Sequence, residues 1–232
     1  MQKVWQHTQE QPDLGLNRKQ GACSKNGHAP RKICFMGGNM KIYKLGESVL
    51  REKCENVKPE EINDEFRSVL NEMFETMISA NGVGLAAPQV GIAKRFFVVI
   101  ADDEVRRVFI NPVITKTSND LVDYEEGCLS IPGVYENIKR PSKVSVSALN
   151  ENGKAFTIEE ADGLLARVIQ HENDHLDGVL YIDRGDEEFK QKTEEQFVKR
   201  AERAAKKAEE KARKKASLEA KIAAKNAKKS GN

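Results

Sequence analysis

Residues 170–178 read QHENDHLDG, and this stretch decides how the rest of the sequence is interpreted. His171 and His175 are four residues apart, so on a helix their imidazoles project from one face and can bind one metal ion. Glu172 lies beside them, where it could act as a base for metal-activated water. A chance match is the alternative, but a chain with only four histidines rarely produces this spacing at random. The stretch therefore predicts a metal site on a helix.

The helix that carries this pentad has recognisable ends. Asp162 is a good N-cap residue, the helical pattern runs to about Asp177, and Gly178 is placed to stop it. Leu164 and Val168 extend the histidine face as an apolar stripe, which indicates that this face points inward. Because an unpaired buried imidazole is costly, two of them on an inward face favour a bound metal.

Two imidazoles do not complete a catalytic metal site, which normally has three protein ligands and one position for water. Residues 124–130, YEEGCLS, offer Cys128 next to Gly127, where a thiolate and exposed backbone amides could approach a metal closely. Taken alone, a cysteine of this kind is more often a small buried apolar residue. Both interpretations stay open at this point.

A glycine-rich segment, GVGLAAPQ at residues 82–89, formally matches a dinucleotide-binding fingerprint. That motif must follow a strand and open a helix, whereas here it follows a predicted helix and precedes a predicted strand, so we reject a nucleotide site. The segment is then a tight apolar loop, whose glycines suit close approach of an extended peptide. Gln89 at its end would supply a neutral amide donor.

The remaining pattern predicts an α+β protein. Apolar residues at steps of three and four predict an amphipathic helix over residues 59–80. The Ala-, Lys- and Glu-rich residues 187–232, with acid-to-base pairs four apart, predict a long exposed helix. Apolar runs and a turn at residues 150–153 predict antiparallel strands at 96–100, 108–114, 144–148 and 155–158.

Composition limits the class of protein. An apolar fraction of 39% supports one core, and no apolar run approaches the length of about 18 residues that a membrane span needs. The four cysteines lack a disulfide framework spacing. Residues 1–39 are polar and without periodicity, so we expect them to be disordered. Cys23, His28 and Cys34 within them do not have a usual zinc spacing.

Three separated segments together resemble the peptide deformylases: GVGLAAPQ at 82–89, EGCLS at 126–130 and QHENDHLDG at 170–178. Their order and spacing are also similar to that family, over roughly residues 40–184. The resemblance implies antiparallel β-sheets packed around a central HExxH helix, with a long C-terminal helix. It also implies removal of the formyl group from N-formyl-methionyl nascent peptides, with release of formate.

By the same resemblance, Cys128, His171 and His175 hold one divalent metal ion, with water as the fourth ligand. Iron, as Fe(II), is expected in cells, and zinc, nickel or cobalt could substitute, because one thiolate and two imidazoles suit all of these cations. The ligands belong to a catalytic domain at residues 40–186, which the charged helix at 187–232 follows.

The implied reaction is hydrolysis of the formyl amide. Hydroxide generated at the metal attacks the formyl carbon, while Glu172 acts first as general base and then as general acid. The side chain of Gln89 and the backbone N–H of Leu129 would stabilise the tetrahedral oxyanion.

The implied substrate contacts follow from an extended peptide that adds a strand to the sheet. Its backbone would bind against the backbone groups of Val83, Gly84 and Gly127. The methionine side chain would need an apolar pocket, to which Leu164 and Val168 could contribute.

Two positions depart from what is common in the family. Tyr135 stands where many members have Arg, seven residues after the metal-binding Cys, and this would alter the rim of the peptide groove. Arg167 is charged where an apolar residue is common, and we expect it to point away from the pocket.

The tail raises the question of partners. Residues 201–232 contain eleven Lys or Arg and four Glu, so this helix is either a solvated surface element or a contact for ribosomal RNA. Neither DNA nor a membrane is expected as a partner. The expected location is the bacterial cytoplasm, although related enzymes also occur in organelles.

Two other hypotheses compete with this reading. An HExxH metallopeptidase that cleaves internal peptide bonds would need a third His or Glu ligand downstream, for which Glu187, Glu188, Glu194 and Glu195 are available. An RNA-associated protein with a structural metal would need four protein ligands, and the sequence offers three good ones.

Overall fold

The computed structural model describes residues 39–229, with side chains described up to residue 215. The predicted disorder of residues 1–39 and the rejected metal site of Cys23, His28 and Cys34 therefore lie outside the described residues, apart from residue 39 itself.

The described chain is an α+β protein with antiparallel sheets and a long C-terminal helix, as the sequence predicts. Short 3-10 turns lie at Ser48–Arg51, Pro59–Glu61, Ala87–Val90 and Tyr181–Asp183. The helices and strands in chain order are α1 Asp64–Ser79, β1 Gly84–Ala86, β2 Phe96–Ile100, β3 Arg106–Thr117, β4 Leu121–Cys128, β5 Ile131–Pro141, β6 Val144–Leu149, β7 Ala155–Ala161, α2 Gly163–Leu176 and α3 Glu187–Lys229.

Two antiparallel sheets organise these elements. Five strands form one sheet in the order β1-β2-β3-β6-β7, and β4 pairs with β5 in a separate two-stranded sheet. Strand β1 therefore lies at an edge of the larger sheet and pairs with β2 on one side.

Strand β2 shows why this sheet has a helix on each face. Side chains alternate across a strand, and β2 buries both of its faces. Phe97 and Val99 pack in one cluster with residues of α2, whereas Phe96 and Val98 pack in another with residues of α1. A third cluster, around Tyr181, joins β5 to the first turns of α3.

Helix α2 matches the sequence prediction closely, and α1 does not. The segment after Pro59 forms a 3-10 turn, and the regular helix starts only at Asp64. Asn63 sets this start, because its Oδ1 accepts a hydrogen bond of 2.9 Å from the backbone N–H of Phe66. The predicted start at residue 59 was therefore wrong by five residues.

Three strands were not predicted. Strand β1 lies inside the segment that we expected to be a connecting loop, and β4 and β5 carry the cysteine segment. Helix α3 agrees with the prediction, and Phe189 and Phe197 on its first turns pack against the Tyr181 cluster. Within residues 39–229, no helix is both long and apolar enough to cross a membrane.

The start of α1 can be tested by the sign of a stability change. Asn63→Ala should lower the free energy of unfolding by about 1 kcal/mol, because it removes an N-cap acceptor. If the helix instead began at Pro59, Asn63 would be interior and the same change would stabilise it, because Ala is the best helix former. The measurement is urea denaturation followed by circular dichroism.

Asn71 provides the matched control, because it is an exposed asparagine within α1. Asn71→Ala should raise the free energy of unfolding by roughly 0.5 kcal/mol. Equal signs for the two variants would contradict the assigned cap.

Candidate metal centre and its pocket

Three side chains that the sequence predicts as metal ligands come together in the fold. Helix α2 supplies His171 and His175, and the end of strand β4 supplies Cys128. Their ligand atoms all lie within 4.8 Å of one another, and Cys128 Sγ is 3.3 Å from His175 Nε2. Both histidines are buried, whereas Cys128 is partly exposed.

The sulfur of Cys128 also lies close to two N–H donors. Gln89 Nε2 and the backbone N of Ser130 are each 3.4 Å from Cys128 Sγ. Donors aimed at a sulfur stabilise its thiolate form, which is the form that binds metals. The cysteine therefore sits in a polar site and is not simply a small core residue.

The orientation of His171 depends on the buried carboxylate of Glu126. His171 Nδ1 is 2.8 Å from Glu126 Oε2, which leaves Nε2 as the nitrogen available to a cation. Arg140 donates to both Glu126 oxygens, at 2.6 and 3.0 Å, and Arg167 Nη1 donates to Oε1 at 2.8 Å. Arg167 is thus buried in this network and does not line the pocket, in agreement with the expectation that it points away.

The network continues to the second acid of the helix. Arg140 Nη1 donates to Asp174 Oδ2 at 2.6 Å, and Arg184 Nη2 donates to Asp174 Oδ1 at 2.7 Å. Burial disfavours the charge of Glu126, but His171 and Arg140 outweigh this and hold its pKa well below the usual range. Glu126 is therefore a fixed anion inside the protein.

The two histidines have different surroundings. Burial opposes a charge on His171, yet its hydrogen bonds to Cys128 and Glu126 raise its pKa well above the ordinary value. Burial and the neighbouring His171 lower the pKa of His175, whose Nδ1 has no hydrogen-bond partner among the described residues. The position between Cys128 and Glu126 therefore attracts positive charge.

These donors fit a divalent cation. Metal–sulfur and metal–nitrogen bonds of about 2.3 and 2.1 Å at a tetrahedral angle put the two ligand atoms about 3.6 Å apart. The Cys128 and His175 atoms, at 3.3 Å, already lie near this separation, and the three atoms, which lie within 4.8 Å of one another, would draw together around the cation. Three ligands also leave one position open, as in catalytic sites.

Glu172 lies beside the three candidate ligands and is almost completely buried. Its Oε2 has no hydrogen-bond partner among the described residues, and burial raises the pKa of its carboxyl to about 7. Strand β1 approaches so closely that a Cβ on Gly84 would lie 2.3 Å from Glu172 Oε1. Only glycine fits at position 84 without displacing this carboxylate.

A cavity of about 260 Å³ opens onto the cluster. Its lining includes most of the residues that the sequence predicts for the site, namely Val83, Gly84, Gln89, Gly127, Cys128, Leu129, His171 and Glu172. Leu164 and Val168 do not line it; both are buried in the core, and Val168 lies directly beneath Gly84. Their contribution to a methionine pocket stays a prediction.

Sequence reasoning missed two residues of this region. Arg140 holds Glu126, the partner of His171, and no local motif in the sequence marks it. Lys44, from the segment before the first 3-10 turn, lines the cavity and donates to the carbonyl of Leu129 at 2.7 Å. Tyr135, which the sequence predicts at the rim of the peptide groove, lines the cavity and covers Gly127, since a Cβ on Gly127 would lie 2.7 Å from its ring.

Two imidazoles on one helix, a cysteine from a β-hairpin and a buried glutamate define an α+β protein of the HExxH class. A family model described as polypeptide deformylase matches residues 39–191. The chain belongs to the peptide deformylase family.

Individual relatives agree with this assignment. Peptide deformylase of Treponema pallidum is 53% identical over 148 residues, which cover 64% of this chain and 89% of the relative. That of Fusobacterium nucleatum is 50% identical over 144 residues, with 62% and 82% covered.

Solved structures show the same similarity. A peptide deformylase from Synechococcus elongatus, in complex with actinonin, has a TM-score of 0.63 and 45% identity, covering 70% of this chain and 88% of that one. The Legionella pneumophila enzyme has a TM-score of 0.66 and 36% identity, with 72% and 98% covered.

The role of Glu126 predicts a large loss of stability on neutralisation. Glu126→Gln should lower the free energy of unfolding by about 3–5 kcal/mol, because it leaves Arg167 buried without an anion and Arg140 with Asp174 alone. The measurement is urea denaturation at neutral pH with a chelator present, so that no cation contributes. Glu159→Gln, at an exposed glutamate on β7, should change stability by at most about 0.5 kcal/mol. Similar unfolding midpoints for the two variants would refute the role of Glu126.

Proposed function

We propose that this chain removes the formyl group from the N-terminal methionine of nascent proteins as a metal-dependent hydrolase. Membership of the peptide deformylase family supports the reaction. One observation supports the metal dependence: the side chains of Cys128, His171 and His175 lie close together, next to the buried Glu172.

Cys128, His171 and His175 would hold the metal, which we expect to be Fe(II) in cells, with zinc, nickel or cobalt as substitutes. When bound, such a cation acts as a Lewis acid and lowers the pKa of water. Glu126 supports this ligand set by fixing His171 through Nδ1.

Glu172 would move the proton of the reaction. It would accept a proton from the attacking water and then deliver it to the amine that leaves. Two features support this role: Glu172 lines the cavity beside the proposed ligands, and burial raises the pKa of its carboxyl to about 7.

Gln89 and Leu129 would stabilise the oxyanion. The Gln89 amide has a defined orientation, because its Oε1 accepts from the backbone N–H of Ala86 at 2.8 Å while its Nε2 faces Ser130 Oγ and Cys128 Sγ. The backbone N–H of Leu129 would be the second donor. Loss of one such donor typically costs about a hundredfold in rate.

The substrate would bind as an extra strand along β1. This strand lies at the edge of the larger sheet and borders the cavity, so that an extended peptide could pair with it. Val83, Gly84 and Gly127 would contribute backbone groups. Val168, which packs beneath Gly84, and Leu164 in the same core cluster would support the methionine pocket from behind its lining.

The competing metallopeptidase hypothesis loses support from this arrangement. The described residue that meets the two histidines is Cys128. Glu194, one of the candidate ligands of that hypothesis, lies near Arg51, with 3.3 Å between its Oε1 and Arg51 Nη2.

Formate release from a formyl-methionyl peptide, measured anaerobically with iron-loaded protein, tests the proposal. The unaltered chain should release formate, and Glu172→Gln should bind the same amount of metal but lose nearly all turnover, because it cannot accept the proton. Absence of formate from fully metal-loaded protein would overturn the proposal, as would normal turnover in Glu172→Gln.

A second pair of variants separates the ligand assignment from the acid–base assignment. Cys128→Ala should lose tight metal binding, as measured by metal content after dialysis. Cys54→Ala is the matched control, because Cys54 is a buried free cysteine outside the cluster and should leave the metal content unchanged.

We further propose that the chain consists of a catalytic domain at residues 40–186 and the charged helix at 187–232. The protein would act in the bacterial cytoplasm. The helix would contact ribosomal RNA. Two features support the RNA contact: the side chains at 201–215 are exposed, and basic residues outnumber acidic ones in residues 201–232.

The ribosome contact predicts a salt-dependent association. The full chain should pellet with ribosomes at low salt and dissociate steeply as salt increases, because Lys and Arg contacts to phosphates release counterions. A form truncated after Lys199 should stay in the supernatant at every salt concentration. Equal pelleting of both forms would exclude the helix as the contact.

A further inference from the structure

One peptide group, the one that joins Leu129 to Ser130, lies between Lys44 and Cys128. Its carbonyl oxygen accepts a hydrogen bond of 2.7 Å from Lys44 Nζ. Its N–H, on Ser130, donates to Cys128 Sγ at 3.4 Å. An ammonium group thus touches one end of a peptide dipole whose other end touches the sulfur.

The segment around Lys44 is held firmly in this place. The backbone N–H of Tyr43 donates to the carbonyl of Gln89 at 2.8 Å, and that of Leu45 donates to the carbonyl of Ser130 at 3.0 Å. The Glu47 carboxylate accepts from the backbone N–H of Lys44 at 2.6 Å. Because three consecutive residues are fixed, the lysine is part of the built site.

The charge of Lys44 is set close to the sulfur. Lys44 is half-buried and is the one Lys or Arg in the lining of the described cavity. Burial lowers the pKa of its ammonium, and the negative charge of Cys128 opposes this shift, so the two groups interact. A cation on a carbonyl oxygen polarises the peptide and strengthens the hydrogen bond that its N–H donates.

We infer that Lys44 is a positioning residue for the thiolate: through the Leu129–Ser130 peptide it strengthens the N–H···S hydrogen bond to Cys128 and fixes the loop that carries the proposed oxyanion donor. The inference rests on the proposed function, in which Cys128 is a metal ligand. It assigns a role in the site to a residue outside the three motif segments.

The expected consequence is a change in the electronic state of the sulfur. Without the lysine, the N–H···S bond weakens and the sulfur lone pairs rise in energy. The sulfur then donates more charge to the cation and makes it a weaker Lewis acid. Groups that support metal ligands in this indirect way typically contribute 10-fold or more to activity. We expect kcat to fall about 10-fold, with little change in KM.

The experiment uses the full chain loaded with Co(II) and measures the near-ultraviolet band of thiolate-to-cobalt charge transfer. Lys44→Met should shift this band to longer wavelength, and Lys44→Arg should restore its position because guanidinium can donate to the same carbonyl. Should Lys44→Met fail to fold, Lys44→Gln, which keeps a neutral donor, should show a smaller shift in the same direction.

Lys53→Met is the matched control, because Lys53 is an exposed lysine outside the cavity lining. It should leave both the band and kcat unchanged. An unshifted band in the folded Lys44 variants, or an equal shift in Lys53→Met, would overturn the inference while leaving Cys128 as a ligand. A missing band in the unaltered chain would instead overturn the ligand assignment of the proposed function itself.

Discussion

A single buried carboxylate, that of Glu126, joins the two parts of the chain that form the site. Its oxygens are hydrogen-bonded to the side chains of Arg140, Arg167 and His171. Arg140 extends from β5, and Arg167 and His171 from α2, so the carboxylate fixes the β4–β5 hairpin against the helix. Any relative movement would leave charges buried and unpaired, which is far more costly than the loss of apolar contacts. Cys128 follows Glu126 by two residues, and this constraint therefore brings the sulfur to the histidines.

The larger sheet imposes a second constraint, on how closely the helix can approach. Helix α2 packs against β1 and β2, and Gly84 allows it to come near enough for Glu172 to lie at the cavity. On the other side, Tyr135 occupies the space above Gly127. Glycine is thus required at positions 84 and 127, because a Cβ atom at either position would clash with a neighbouring side chain. The sequence predicts that a peptide approaches these glycines closely; in the described structure side chains of the chain itself make the close approach, and the peptide contact stays a prediction.

Local patterns in the sequence predicted α2 and its ends, because helix periodicity and the stop at Gly178 depend on neighbouring residues. Asp162 does occupy the N-cap position, although its side chain makes no cap hydrogen bond. The same reasoning placed the start of α1 too early, since Pro59 opens a 3-10 turn and Asn63 caps the regular helix. Strands β4 and β5 escaped prediction because most of their side chains are exposed or partly exposed, and the exposed ones include the apolar Leu121 and Val122, so apolar alternation is weak. Strand β1, with three residues, is shorter than any pattern that could reveal it.

The residues of the site likewise differ in how well the sequence predicts them. The histidines could be predicted from their spacing, whereas Cys128 stayed ambiguous until the three motifs were taken together. Arg140 and Lys44 could not be found, because they act on residues 14 and 85 positions away and carry no local signal.

The two histidines show how the fold prepares the cluster for a cation. His171 is oriented through charge, because Glu126 fixes its Nδ1. His175 has no such partner for Nδ1 among the described residues, and burial keeps its imidazole neutral by lowering its pKa. One imidazole is therefore fixed by a hydrogen bond and the other by packing within α2. Because both depend on the same helix, and the helix depends on Glu126, the geometry of the cluster is set by folding before any ligand arrives.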